Sequence, residues 1–391
     1  MFEGIPSTIE FQLSLLLFVA LAGYLIASKI NQSAIVWEIL IGIAIGPSLL
    51  GLITYTDSVE SFAQLGAIVL LFVVGLEFNI KDIFNVKYGI IAFIGVLVPW
   101  ISGYFLAEFF GYNFISAVFV GTALTATSVA ITANVLREMG KLKTEAAKAI
   151  IGAAVIDDVL GLLVLSISIQ VANDSVSIIP LVMIIVEAIV FMVLGAFVGQ
   201  RYLSRFIERF DQTKLAGRFP QVVFIFAMMI AFIYAMIAQI IGLSAIVGSF
   251  LAGVALTSVI VHHGKNFKEG AEYLEIIFAS IFFVSLGVLT DFHALTFTII
   301  WFLIALTIVA FLTKIIGCYL GSRLVRMDHR TSVAVGIGMA PRGEVAMIVA
   351  LIGLNLGILQ QDIYVSLILM SLLTTVFVPV VLRYYLKKNK H

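Results

Sequence analysis

Charged residues, cysteines and long polar segments are scarce in this sequence. Of its 391 residues, 12% are charged and 62% are hydrophobic, a balance that excludes an ordinary soluble globular protein. The single cysteine, Cys318, excludes an internal disulfide and a metal site made of several cysteines. The gaps between apolar segments reach only roughly 15 residues, so no soluble domain fits between them. The sequence therefore predicts an integral membrane protein.

Apolar segments of membrane-crossing length recur along the whole chain. A helix rises about 1.5 Å per residue, so about 20 apolar residues cross a hydrocarbon core of roughly 30 Å. Runs such as FQLSLLLFVALAGYLIA do not alternate in polarity, which argues for helices and against strands. We predict an all-α polytopic membrane protein with about thirteen transmembrane helices, at residues 11–29, 34–52, 61–80, 87–109, 114–136, 147–171, 178–203, 219–240, 243–262, 273–290, 296–322, 331–354 and 362–386.

The basic residues are distributed unequally between the predicted loops. If the N-terminus is outside, every loop on the inner side carries lysine or arginine, whereas the outer loops, including 53–60, 172–177 and 291–295, carry none. Because positive charge marks the cytoplasmic side, we expect a multi-pass protein of the cell membrane with its N-terminus outside and its C-terminus in the cytoplasm. The two basic residues that these loops and span ends do not account for, Lys314 and Arg342, lie in the interior of predicted spans, where an ionisable side chain is a functional candidate.

The two halves of the chain resemble each other. WEILIGIAIGPSLLGL (37–52) is similar to SAIVGSFLAGVALTSV (244–259), and LLFVVGLEFNI (70–80) is similar to IFFVSLGVLTDF (281–292). We therefore predict a six-helix repeat at 1–172, a connecting helix at 178–203 and a second six-helix repeat at 219–388. An odd helix between them makes the second repeat inverted, an architecture that favours alternating access to a site between the halves.

Two predicted spans contain residues that interrupt helices. The fifth span includes GTALTATSVAIT (121–132), with Thr127 and Ser128 among several hydroxyl side chains, and the twelfth includes GIGMAPRGEVAM (336–347). Proline removes a backbone hydrogen bond and glycine tolerates irregular dihedral angles. We predict that both helices break near the membrane midplane and cross there. Arg342 and Glu344 would then compensate the partial charges of the half-helix ends.

Two adjacent carboxylates, Asp157 and Asp158, lie in the apolar run GAAVIDDVLG. Neighbouring residues on a helix point about 100° apart, so the two acids cannot share one partner equally. We expect one of them to pair with Lys314, the lysine in the interior of a predicted span, and the other to face a water-filled cavity. A carboxylate with nearby hydroxyl and carbonyl oxygens binds a small hard cation such as Na⁺ or Li⁺. Protons compete for the same carboxylate, so the site suits pH-dependent exchange of a cation for a proton.

These motifs resemble a known family. The IDD at 156–158, the TATSVA at 125–130, Lys314 and the PRGE at 341–344 are similar to those of NapA-like sodium/proton antiporters, the electrogenic members of the second monovalent cation:proton antiporter branch. The resemblance implies the NhaA/NapA-like fold and a homodimer, with a dimer domain from spans 1–3 and 8–10. The core domain, from spans 4–6 and 11–13, would carry the ion by an elevator movement. By resemblance, Asp158 is the principal Na⁺ ligand, Asp157 is the partner of Lys314, and Thr127 and Ser128 lie beside the ion at the helix break.

Several alternatives remain open at this stage. A K⁺/H⁺ antiporter uses the same scaffold, and a channel or a sodium-coupled solute symporter is a more distant possibility. An intramembrane aspartyl protease places its two aspartates on separate helices, unlike Asp157 and Asp158, so we do not expect an enzyme. We expect no cofactor and no nucleic acid partner. Glu77 and Glu187 could tune the pH response, although packing at an interface is the simpler role for both.

Overall fold

The computed structural model describes residues 8–30, 33–79, 85–173, 177–219, 221–259, 267–290 and 297–388, with the backbone alone at 267, 297, 298, 344 and 388. All regular structure in these ranges is helical, as predicted. The helices are α1 Ile9–Ile30, α2 Ala34–Ile45, α3 Asp57–Gly75, α4 Val86–Phe109, α5 Phe114–Ala123, α6 Val129–Glu138, α7 Glu145–Ala172, α8 Ile178–Val198, α9 Ser204–Asp211, α10 Lys214–Arg218, α11 Gln221–Ile240, α12 Ala245–Leu256, α13 Phe267–Val288, α14 Phe297–Leu324, α15 His329–Gly338, α16 Glu344–Asn355 and α17 Gln361–Lys388. A π-helical turn, Gly199–Leu203, joins α8 to α9.

Many helices of the described ranges are long and apolar enough to cross a membrane. Nine meet both criteria: α1, α3, α4, α7, α8 with its extension to Asp211, α11, α13, α14 and α17. The apolar helices α2, α5, α12 and α16 are shorter; a helix of 12 residues, such as α2, spans only about 18 Å. The multi-pass architecture is therefore present, and the count of thirteen crossings stays a prediction.

The helix α2 is shorter than the sequence pattern predicts. It ends at Ile45, whereas the predicted span continued to residue 52. Pro47 follows Gly46, and a proline disfavours helical geometry at the residue before it and removes a backbone donor. Because the residues after Pro47 are also largely apolar, the hydrophobic pattern did not indicate that the helix ends at Ile45.

The helices pack in two groups. Helices α1, α2, α3, α11, α12 and α13 contact one another extensively, and we name them the α3 group. Helices α4, α5, α6, α7, α14, α15, α16 and α17 form the α7 group, in which α4 packs along α14. Helix α8 contacts α7 in one group and α12 in the other. Fewer contacts join the two groups than hold each group together.

Glycines allow the closest helix contacts within the α3 group. A Cβ atom on Gly253 of α12 would lie 2.2 Å from the carbonyl oxygen of Phe72 in α3, and one on Gly287 of α13 would lie 2.2 Å from that of Ile39 in α2. No larger residue fits at such distances without movement of the backbone. Helix α2 thus packs on α13 as α12 packs on α3. These are the segments whose sequences resemble each other, and the inverted repeat itself remains a prediction.

Long-range contacts define two ends of the helix bundle. Ser48 donates to the carbonyl oxygen of Thr290 at 2.7 Å, and Tyr112 donates to Asp362 at 2.9 Å; this is the end at which α1 begins, and we call it the amino-terminal end. At the opposite, carboxyl-terminal end, Lys141 donates to the carbonyl oxygen of Leu386 at 2.8 Å.

Candidate ion-binding site

Two broken helices cross at the centre of the α7 group. The first break separates α5, which ends at Ala123, from α6, which begins at Val129; the second separates α15, which ends at Gly338, from α16, which begins at Glu344. The interruptions predicted from the threonine-rich and PRGE segments are therefore present. At each break, backbone groups lose their helical partners and need others.

The two breaks satisfy part of each other's hydrogen-bonding capacity. The backbone N–H of Ser128 donates to the carbonyl oxygen of Pro341 at 2.9 Å. The hydroxyl of Thr132 donates to the carbonyl oxygen of Gly338 at 2.6 Å. A Cβ atom on Gly343 would lie 2.6 Å from the Cβ of Ser128, so this close crossing requires glycine at position 343.

Arg342 is completely buried between the breaks. Its side chain, 0% exposed, donates to the carbonyl oxygens of Thr125 at 3.3 Å and of Ala126, which follow the C-terminus of α5. It also donates to the carbonyl oxygen of Ala310 in α14 at 3.1 Å. A helix C-terminus carries partial negative charge from unpaired carbonyl groups. The guanidinium group therefore lies where the sequence analysis expected a cation.

Lys314 and Asp157 form a buried ion pair. Lys314 Nζ lies 2.8 Å from Asp157 Oδ1, with side chains that are 0% and 1% exposed. The ammonium group also donates to the carbonyl oxygen of Thr125 at 2.7 Å, so Lys314 and Arg342 contact the same carbonyl. Within the described ranges, Asp157 Oδ2 has no hydrogen-bond partner. Of the two adjacent aspartates, Asp157 is therefore the one that contacts Lys314.

Asp158, the next residue on α7, is partly exposed. It lines a small space of about 10 Å³ together with Thr127, Ser128 and Ser244. A space of roughly 10 to 15 Å³ is the smallest that holds one water molecule. A carboxylate with several hydroxyl groups around such a space is a ligand set for a small hard cation. Asp158 lies next to the N-terminus of α6, and Ser244, at the N-terminus of α12, comes from the α3 group.

A larger cavity connects to the same carboxylate. It has a volume of about 240 Å³ and is lined by Asp158, by Val345 and Ile348 of α16, and by Gln64 and Gln239 of the α3 group, among others. The cavity therefore lies between the two helix groups. The sequence analysis missed Gln64, Gln239 and Ser244, because uncharged polar residues near predicted helix ends have no distinctive pattern.

Ion pairs join the two groups at the carboxyl-terminal end of their boundary. Arg137, near the end of α6, forms a short contact with Glu275 of α13, and its other nitrogen atoms lie 3.8 Å from Glu77 and 3.9 Å from Glu272. Glu275 is 3% exposed. These contacts join the α7 group to the α3 group on the side of the bundle opposite α1's start. From the sequence, Arg137 was a loop cation, and the role of Glu275 was not foreseen.

Other ionisable residues have different positions. Glu187 on α8 lines an apolar groove of about 480 Å³ with residues of α11, away from Asp158. Glu38 on α2 is 2% exposed, was not singled out from the sequence, and its Oε1 has no hydrogen-bond partner among the described residues. The side chain of Glu344, predicted to compensate a half-helix end, lies outside the described part of the structure.

Comparison with known proteins identifies related transporters. The family model described as sodium/hydrogen exchanger, transmembrane, matches residues 15–388. The Na⁺/H⁺-K⁺ antiporter GerN of Bacillus cereus is 32% identical over 378 residues, covering 96% of this chain and 95% of the relative. A Na⁺/H⁺ antiporter of Enterococcus hirae is 33% identical over 382 residues, covering 96% and 97%.

Solved structures show the same fold. One of a sodium proton antiporter of Methanocaldococcus jannaschii superposes with a TM-score of 0.67 at 19% identity, covering 95% of this chain and 94% of that chain. A second structure of this antiporter has a TM-score of 0.71 at 17% identity, with 97% of each chain covered.

Proposed function

Because the chain belongs to the sodium/hydrogen exchanger family, we propose that it is a secondary transporter that exchanges Na⁺ or Li⁺ for H⁺ across the membrane. The observation that carries this proposal is the position of Asp158, a carboxylate that shares a space of about 10 Å³ with the hydroxyl-bearing residues Thr127, Ser128 and Ser244. The names of the full-length relatives from Bacillus and Enterococcus support Na⁺ and H⁺ as the exchanged ions.

Competition at a single carboxylate accounts for exchange. A cation and a proton both neutralise Asp158, so binding of one opposes binding of the other. If the loaded site can turn from one face of the membrane to the other and the charged empty site cannot, each cation that crosses in one direction requires protons to return. Transport then depends on pH, because the proton concentration sets the fraction of Asp158 available to Na⁺.

The buried pair gives a possible source of a second proton. Lys314 lies 2.8 Å from Asp157 Oδ1 in a region without water access, with both side chains at most 1% exposed. If Na⁺ binding at Asp158 also releases a proton from Lys314 or from Asp157, more than one proton crosses per cation and exchange is electrogenic. If the pair is only structural, exchange is one for one and electroneutral.

Alternating access would involve movement of the α7 group against the α3 group. Asp158 lines a cavity of about 240 Å³ between the two groups, while the contacts of Arg137 with Glu275 and its neighbours join them at the carboxyl-terminal end. Such an arrangement corresponds to a site accessible from the amino-terminal end. The distribution of basic residues supports an N-terminus on the outside. We therefore infer that this structure is an outward-facing state.

The finer assignments follow from the sequence motifs. The IDD, TATSVA and PRGE segments and Lys314 support a NapA-like transporter with inverted six-helix repeats and about thirteen crossings. In this arrangement the α3 group is the dimer domain of a homodimer, and the α7 group is the core domain that carries the ion as an elevator. Thr127 and Ser128 assist Asp158 as Na⁺ ligands, and Arg342 compensates the C-terminus of α5.

K⁺ is the second candidate ion. The relative from Bacillus cereus is named a Na⁺/H⁺-K⁺ antiporter, and the more distant K⁺/H⁺ antiporter 1 of Saccharomyces cerevisiae is 26% identical over 395 aligned positions. The small space beside Asp158 favours Na⁺ and Li⁺, because a larger ion needs more room and more ligands.

Purified protein in liposomes tests the function. An imposed pH gradient is challenged in turn with Na⁺, Li⁺, K⁺ and choline, and dissipation of the gradient is followed with a pH-sensitive dye. We expect a response to Na⁺ and Li⁺, none to choline, and loss of the response in Asp158→Asn without loss of protein from the membrane. Glu187→Gln, a change at an acid far from the site, is the matched control. Exchange by Asp158→Asn with unchanged kinetics would overturn the assigned ion ligand.

A further inference from the structure

A second cavity lies at the amino-terminal end of the boundary between the helix groups. It has a volume of about 500 Å³ and is lined by residues of α3 and α13 on one side and of α16 and α17 on the other. It shares Gln64 and Ile348 with the smaller cavity that contains Asp158. The two cavities therefore adjoin at these residues, and together they extend from the amino-terminal end to the ion-binding carboxylate.

The charges along this route have one sign. Among the described residues that line the two cavities, Glu60 and Asp158 are the carboxylates, and no lysine or arginine is present. Glu60 lies in the first turn of α3 and lines the larger cavity. A cleft with one sign of charge and apolar walls concentrates ions of the opposite sign. This arrangement attracts cations and repels anions.

Gln64 lines both cavities and contacts Glu60. It lies one helical turn after Glu60, and its amide nitrogen Nε2 donates to Glu60 Oε1 at 3.2 Å. Because this hydrogen bond uses the amide nitrogen, the amide oxygen is available as an acceptor for another group. Amide and carboxylate oxygens are both ligands of hard monovalent and divalent cations. A cation leaving the carboxylate of Glu60 thus meets an oxygen at the junction with the Asp158 cavity.

We propose that Glu60 and Gln64 form an uptake site for monovalent cations on the route to Asp158. Glu60 raises the local cation concentration in the larger cavity, and Gln64 replaces part of the hydration shell as the ion passes to the smaller cavity. This inference rests on the proposed cation exchange. It assigns residues of the α3 group to the approach of the ion, and Asp158 of the α7 group to its transport.

The first test measures the Na⁺ dependence of exchange in membrane vesicles of known orientation, at low and at physiological ionic strength. Glu60→Gln should raise the half-saturating Na⁺ concentration about threefold to tenfold from the side that the cavity faces, with the maximal rate unchanged. The effect should shrink at about 0.15 M salt, because the screening length falls to roughly 8 Å. From the other side, the variant should behave like the wild type.

Asp57→Asn is the matched control. Asp57 is also an exposed acid in the first turn of α3, but it does not line either cavity. Equal effects of the two substitutions would show a general surface potential and overturn the uptake site, as would an unchanged Na⁺ dependence in Glu60→Gln. If the wild type exchanges Na⁺ for H⁺ and Asp158→Asn does not, such a result refutes this inference alone and leaves the proposed function intact.

The second test uses thiol labelling. The native cysteine, Cys318, is 0% exposed, so it need not be removed. Gln64→Cys should react with a membrane-impermeant maleimide from one side of the membrane, and Na⁺ should slow the reaction while choline does not. Ser61→Cys, an exposed position on α3 outside both cavities, should react without protection by Na⁺. Absence of labelling at position 64, or equal Na⁺ effects at both positions, would refute the route.

Discussion

The ion pair between Asp157 and Lys314 allows a quantitative test of how this site is built. Lys314 Nζ lies 2.8 Å from Asp157 Oδ1 and 2.7 Å from the carbonyl oxygen of Thr125, and neither side chain is exposed by more than 1%. Removing one partner of a buried pair typically costs about 3 to 5 kcal/mol, because the other charge is left without compensation. Replacing both partners removes the attraction and the unpaired charge together.

The two single substitutions should differ in their cost. In Lys314→Gln, Asp157 loses the ammonium group, and its Oδ2 already lacks a hydrogen-bond partner among the described residues. This variant should therefore lose about 3 to 5 kcal/mol of stability, the full cost of breaking the pair. In Asp157→Asn, the amide oxygen can still accept from Lys314, which also keeps the Thr125 carbonyl. The remaining positive charge lies in the same region as Arg342, which bonds the same carbonyl at 3.3 Å, so some cost persists.

We therefore expect the double variant to be more stable than the sum of the single changes predicts. Residues in direct contact show interaction energies of about 0.5 to 3 kcal/mol in double-mutant cycles, and this pair should be at the upper end. The assay is the thermal midpoint of the detergent-solubilised protein for the wild type, both single variants and the double variant. Glu187→Gln combined with Lys314→Gln is the control pair, since Glu187 lies elsewhere on α8. Additive midpoint shifts for Asp157 and Lys314 would refute a functional or structural pair.

Two further predictions concern the transport cycle. If the pair at Lys314 carries a proton, clamping the membrane potential with valinomycin and K⁺ should change the exchange rate, since each uncompensated charge is worth about 2.3 kcal/mol per 100 mV; a rate independent of potential would indicate one-for-one exchange. Arg137→Gln removes ion pairs that join the two groups at the carboxyl-terminal end, and hydrogen bonds of charged groups contribute about 1.5 to 3 kcal/mol each. In a protein that carries both Arg137→Gln and Gln64→Cys, maleimide labelling of the cysteine should slow about fivefold or more, because the protein spends less time open to the amino-terminal end. Arg209→Gln, an exposed change on α9, should leave the labelling rate unaltered.

The sequence predicted those parts of the site that follow from the free-energy cost of placing charged residues in apolar segments. Lys314 and Arg342 are expensive inside apolar segments, so each needed a compensating group, and Asp157 and the broken helix α5 are where the structure provides it. The helix breaks were predictable because PRG and clustered threonines remove or compete for backbone hydrogen bonds. The buried charges and the helix-breaking residues can be recognised from short stretches of sequence, and each requires only a few contacts.

The remaining parts of the site depend on how separate helices meet. Gln64, Gln239 and Ser244 face Asp158 only because α3, α11 and α12 pack beside the α7 group, and no property of these residues alone indicates this. Likewise, the burial of Glu275 and its contact with Arg137 depend on the packing of α6 against α13, and its sequence neighbourhood does not indicate either. The early end of α2 shows a similar limit, since the apolar residues after Pro47 resemble a continuing span.

The division of charge in the site explains why two adjacent aspartates are useful. Lys314 and Arg342 both donate to the Thr125 carbonyl at the end of α5, and Asp157 pairs with Lys314. These groups are buried and joined by direct contacts, all of them within the α7 group. Asp158, about 100° away around α7, faces the cavities instead. Under the proposed exchange, Na⁺ or H⁺ binds at Asp158, and the buried pair of Asp157 and Lys314 decides whether a second proton accompanies the first.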